Sequence, residues 1–137
     1  MSVEVDVYVS KQNVDELKFD ENYEPINGIF IDWYNGRDNG LGAEIASMVQ
    51  FDEHVVLDEV VYQNIKDNME QNLETAKQNL ETHRMIFEKL IHRDEMWEEV
   101  ESIREWDEQR EFLEKQLEEL HYLHKFMDHA RVWVHVG

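Results

Sequence analysis

The sequence predicts an α+β fold: a small antiparallel β-sheet of three or four short strands, with a long antiparallel helical hairpin inserted before the C-terminal strand. Three observations predict it. Valines alternate with polar residues at the start of the chain, a similar alternation closes it, and between them two long apolar stripes recur at steps of three and four.

In chain order, Val3, Val5, Val7 and Val9 alternate with Glu4, Asp6, Tyr8 and Ser10, a period of two that makes residues 3–9 a half-buried strand with the valines inward. Residues 11–27 are polar and hold the only proline, Pro25, with a short helical turn expected over 13–18. Gly28 opens a second strand over 28–33. Residues 35–40 then form a loop whose Gly36 and Gly40 suit positive φ. Leu41, Ile45, Met48 and Val49 mark a short amphipathic helix behind an Asn39 cap. His54–Leu57 is a third short strand, and Asp58 is the N-cap of the first long helix.

The first stripe runs through Ile65, Met69, Leu73, Ala76, Leu80, His83, Phe87 and Leu90. The second runs through Val100, Ile103, Trp106, Arg110, Leu113, Leu117, Leu120, His124 and Met127. Asp94 is a good N-cap, so the turn is expected at 92–95. Folding the stripes together there sets Leu90 opposite Trp97, Leu80 opposite Trp106 or Asp107, Leu73 opposite Leu113 and Ile65 opposite Tyr122. Arg110 falls over Ala76, with room for its stem along the seam, and His129 falls near Asp58. Each helix would be roughly 50 Å long at about 1.5 Å per residue. Residues 131–136 alternate as the last strand, with Val132, Val134 and Val136 on one face and Trp133 and His135 on the other. Strands this short must pair into one sheet. The expectation is one domain over 1–137, with 1–57 and 131–137 as the sheet region and 58–130 as the hairpin.

Composition narrows the function. Thirty-two acids against thirteen Lys and Arg leave a net charge of −19, which disfavours direct contact with nucleic acid or an anionic membrane and favours a cationic partner. With 42% hydrophobic residues the chain is too apolar for a disordered acidic tail. The absence of cysteine excludes a disulfide frame or thiolate zinc site. With no basic, apolar N-terminal leader and no long apolar run, a soluble cytoplasmic protein is expected.

The acids are not evenly spread. Residues 94–119 hold twelve acids and three bases, and residues 1–57 again twelve and three. Glu98, Glu101, Glu105 and Glu108 step by three and four on one helix face, with carboxylates roughly 5 to 6 Å apart. Phosphates along one DNA strand advance about 3.4 Å each. Such a rod could occupy a protein's DNA-binding groove. Trp97 at the hairpin tip, rimmed by Glu95, Glu98 and Glu99, has the make-up of an interface anchor, though closing the tip against Leu90 would also explain it. The expected partner-binding residues are therefore Glu95, Trp97, Glu98, Glu101, Glu105, Glu108 and Glu111. The competing reading is that these acids only solvate the outer face of a long helix.

Two other chemistries are weaker. Glu118, His121, His124 and Asp128 contain half of the paired Glu-x-x-His arrangement of di-iron bundles, but the first helix offers no matching half at that depth. His83 reads as a packed core histidine. The Asp32–Gly40 oxygens lack the alternating acids of a calcium loop, so a turn connection is the expected use. No nucleotide, zincin or nucleophile motif occurs, and no serine stands beside a histidine in sequence. The expectation is a non-enzymatic acidic binding protein with no cofactor, a DNA-mimic-type inhibitor of a nucleic-acid-binding protein such as a phage or mobile element would encode. The alternatives are a structural protein assembling as a homodimer through its hairpin, and a helical metal-binding protein.

Overall fold

The computed structural model describes residues 3–137. It contains strands β1 (Glu4–Ser10) and β2 (Ile29–Asn35), helix α1 (Leu41–Met48) and strand β3 (His54–Val56). The long helices α2 (Glu59–Lys89) and α3 (Arg93–Met127) follow, then strand β4 (Arg131–Val136). The strands form one antiparallel sheet in the order β2-β1-β4-β3, so the two ends of the chain pair in its centre. The fold is α+β, and the helical hairpin enters before the last strand as the periodicities predict.

Alternation decides which face each strand residue meets. Val5, Val7, Val132, Val134 and Val136 are buried on one face, under Leu41 and Ile45 of α1, Tyr62, Ile65 and Met69 of α2, and Leu120 and Leu123 of α3. On the opposite face Tyr8 and Trp133 are buried beneath Leu17 from the 11–27 segment, with Val14, Phe19 and Val56 around them. Trp133 donates its indole N–H to Ser10 Oγ at 2.8 Å. Residues 13–18 are therefore not a helical turn as expected. Leu17 and Phe19 are used across the sheet, and the segment is held instead by a Phe19–Pro25 bridge and by Lys18 N–H donating to Asn27 Oδ1 at 2.8 Å.

The glycines of the 36–40 connection serve close approach, not positive φ. No glycine has positive φ; Tyr23, Asn39 and Asp52 do. A Cβ on Gly36 would lie 2.5 Å from Val3 Cγ1, and one on Gly40 2.8 Å from Phe112 Cε1 of α3. Asn39, at φ 62°, does not cap α1. Asp38 does this work: its carboxylate accepts from the N–H groups of Gly40, Gly42 and Ala43 at 2.8, 3.3 and 3.0 Å. Asp38 is thereby committed to backbone donors, and the connection joins a strand to a helix.

Asp58 caps α2 as expected, accepting from Val61 N–H at 2.9 Å. The tip differs. Helix α3 begins at Arg93, with His92 in the cap position and no side chain capping it, so the turn occupies 90–92. Asp94 and Glu95 lie in the first turn, where the helix dipole favours them. Centred at residue 91 and not between 93 and 94, the turn slides α3 by about one helical turn relative to the expected pairing. Glu59 meets His124, at 2.7 Å, where the expected register would have set it against Asp128. For the same reason His129 forms no pair with Asp58 and gives its backbone N–H to Phe126 O. Arg110 bonds Asp107 and Glu114 on its own helix. His83 is a half-buried partner of Glu99 at 2.5 Å, an inter-helix polar contact in place of the packed histidine expected.

Only the root of the hairpin belongs to the core. From Met69 to the end of α2 is 20 residues, so about 30 Å of the helix lies beyond the last residue packed on the sheet. Ala76, Leu80 and Leu113 are buried in the seam, and no residue from 81 to 112 is. Among the described residues no helix is long and apolar enough to cross a membrane.

Candidate acidic binding face

Apart from its seam with α2, helix α3 meets the β2–α1 part of the molecule through one stripe. Gly40 approaches Phe112, Gln116 Oε1 accepts the Leu41 N–H at 3.0 Å, Glu119 Oε2 accepts the Tyr34 hydroxyl at 3.3 Å, and Leu123 lies in the core. Burial first, then the negative charges of Asp32 and Glu119, push the Tyr34 hydroxyl far above its usual range, so it stays protonated as the donor. These residues step by four, three and four along the helix. Continued toward the tip by the same steps, the stripe runs through Glu108, Glu105, Glu101 and Glu98.

The row of carboxylates is thus the continuation of the face that docks on α1. The row begins one turn beyond Phe112, which lies against Gly40 of the β2–α1 connection. Glu98, Glu101, Glu105 and Glu108 are all exposed, as are Glu95 and Glu111. Glu101 pairs with Arg104 at 3.2 Å and Glu111 with Arg110 at 3.7 Å. Glu95, Glu98, Glu105 and Glu108 make no ion pair among the described residues. Arg110 instead neutralises Asp107 and Glu114, both at 2.9 Å, away from the row.

The charge density is high for a single helix. Residues 94–119 net −9 and rise about 39 Å. One strand of B-DNA of that length carries about eleven phosphates. Helix α2 is different: its six acids and four bases leave −2, and amides and hydroxyls share its outer face with charges of both signs. The field of the arm is one-sided.

Trp97 stands apart from the row. It is 56% exposed at the tip.

The four metal candidates do not converge. His124 is engaged by Glu59 and stacks on Tyr62 with ring centroids 4.0 Å apart. Glu118 and His121 line an open depression on the flank of α3 with Leu117 and Tyr122, while Asp128 is an exposed residue at the helix end. Among the described residues no three His, Asp or Glu side chains group so as to hold a metal ion.

Sequence reasoning missed a pair across the sheet. His54 and His135 stack at 4.3 Å, and His135 reaches Asp52 at 3.1 Å and Asp6 at 3.8 Å. Nothing in the local pattern links residues 6, 52, 54 and 135; only strand register does. No family model, curated protein or solved structure matches the chain.

Proposed function

We propose that this protein is a non-catalytic acidic ligand for a protein with a basic, nucleic-acid-binding surface, and that the α3 row Glu98, Glu101, Glu105 and Glu108 enters that surface in place of a phosphate strand. The observation that carries the reading is the row itself. Its carboxylates are exposed, largely unpaired, and held on one face of a helix whose 94–119 span carries a linear charge close to that of one DNA strand. Glu95 and Glu111 lengthen the row at either end. The body at its foot limits how far a groove can slide along the arm, which would give the contact a defined register. In its sharpest form the protein is an inhibitor that competes with nucleic acid for its target.

Binding of this kind is dominated by charge, so it weakens steeply as salt rises. The test is capture of nucleic-acid-binding proteins on the immobilised full chain, with elution by salt and by duplex DNA. The captured protein should be released by either, and capture should be lost when Glu98, Glu101, Glu105 and Glu108 are all changed to Gln. A captured partner that stays bound to the Gln variant, or that DNA fails to displace, refutes the reading.

A further inference from the structure

The tip of the arm has the opposite character to its flank. Met85, Ile86, Phe87, Ile91 and Trp97 are exposed by 50, 39, 36, 85 and 56%. They cluster within the last turn or two of both helices and the turn between them. Residues 84–97 contain three bases, Arg84, Lys89 and Arg93, and three acids, Glu88, Asp94 and Glu95. The segment is therefore neutral in a chain of net charge −19. Exposed apolar side chains grouped at one end of the arm in this way mark a contact site.

We infer that this surface is covered by the tip of a second copy of the same chain, the two arms meeting about a two-fold axis. The occupant follows from charge. Two copies repel over most of their surfaces. At the tip alone does a stretch exposing large apolar residues coincide with zero net charge and both signs of charge, which a two-fold contact can pair. Two helix ends side by side, each about 10 Å across, present a few hundred Å², less than the ~800 Å² per partner of a standard interface, so the pairing is of modest affinity. The dimer would leave both acidic rows free, so the inference goes beyond the proposed function and does not depend on it.

Sedimentation of the full chain tests it. At about 100 µM, above the dissociation constant of a modest dimer, the protein should sediment at twice the chain mass of 16.6 kDa. It should stay dimeric in molar salt, where any contact made by the acidic rows is lost. Ile91→Glu or Trp97→Glu should raise the dissociation constant on the order of a hundredfold, since symmetry repeats each change in a hot spot. Helical circular dichroism should be unchanged, and Ile26→Ser, an exposed apolar residue far from the tip, should leave the dimer intact. A second reading does not depend on the behaviour of those variants. The chain has no cysteine, so Ile91→Cys should form a disulfide-linked dimer on mild oxidation far faster than Ser47→Cys on α1. A monomer at all salt concentrations, a dimer that survives both tip substitutions, or equal crosslinking at residues 91 and 47 overturns the inference.

Discussion

Gln116 of α3 accepts the backbone N–H of Leu41, 75 residues earlier in the chain, at 3.0 Å. The bond supplies the first turn of α1 with an acceptor and fixes how α3 is rotated as it leaves the sheet. Everything farther along that face of α3, including the acidic row, takes its direction from this contact. Gln116→Leu keeps the packing against Gly40 but strands the amide. A loss of about 1 to 2 kcal/mol in urea unfolding is expected.

Asp38 completes the same cap. Asp38→Ala removes the acceptor for three N–H groups and should cost about 1 to 2 kcal/mol. Asp38→Asn retains an acceptor and should recover part of the loss. If Asp38→Ala melts at the wild-type temperature, the capping role assigned to it is wrong.

Gly42 tests how tightly α1 sits on β2. A Cβ there would lie 2.1 Å from the Asn35 carbonyl oxygen, which belongs to the backbone of a paired strand. Gly42→Ala should therefore destabilise by at least about 2 kcal/mol, the scale of overpacking. Gly28→Ala makes a useful contrast. Its Cβ would meet the end of the Leu17 side chain at 2.9 Å, which can move, although Val9 O at 3.1 Å limits the relief. The smaller thermal shift is expected at residue 28.

The indole of Trp133 is buried with its only hydrogen bond to Ser10. Ser10→Ala leaves that N–H without a partner in the small core under the 11–27 segment, and should cost about 1 to 3 kcal/mol. Trp133→Phe removes the donor together with the need for an acceptor. The double variant should then be less destabilised than the two single changes added together, as a double-mutant cycle measures.

His54 makes stability depend on pH. Burial first, and then the neighbouring His135, hold its pKa below the ordinary 6.5, although Asp52 and Asp6 act the other way. A folded-state pKa below the unfolded value means that the unfolded chain binds the extra proton. This contribution is complete above pH 6.5 and is lost as pH falls from there through the folded pKa. The urea midpoint should drop over that window in the wild type and drop less in His54→Gln, measured against the same pH series.

Element type was legible wherever one face of an element meets one environment. Val5 and Val7, or Leu113 and Leu120, repeat at the period of their own backbone, and the structure buries them accordingly. The acidic row was legible for the same reason, because steps of three and four place Glu98 through Glu108 together on any helix. Other features turned on neighbours remote in the chain. Asn39 resembles a cap as well as Asp38 does, and the choice between them depends on how the connection bends over α3. A tip placed two to three residues earlier moved the seam by a turn and replaced Asp128 with His124 opposite Glu59. The 11–27 segment, too polar to show a period, found its place through Leu17 and Phe19 on a sheet face that exists only after both chain ends pair.

The sequence by itself determined the strands, the two long helices, the net charge and the face of α3 on which the carboxylates stand. Each is set by interactions between residues a few positions apart, or by composition. Tertiary structure alone decided the register of the seam, the caps of α1, the His54–His135 stack and which face of α3 meets the β2–α1 connection. These depend on contacts between segments far apart in the chain, whose geometry follows from how the turn, the sheet and the helices pack together.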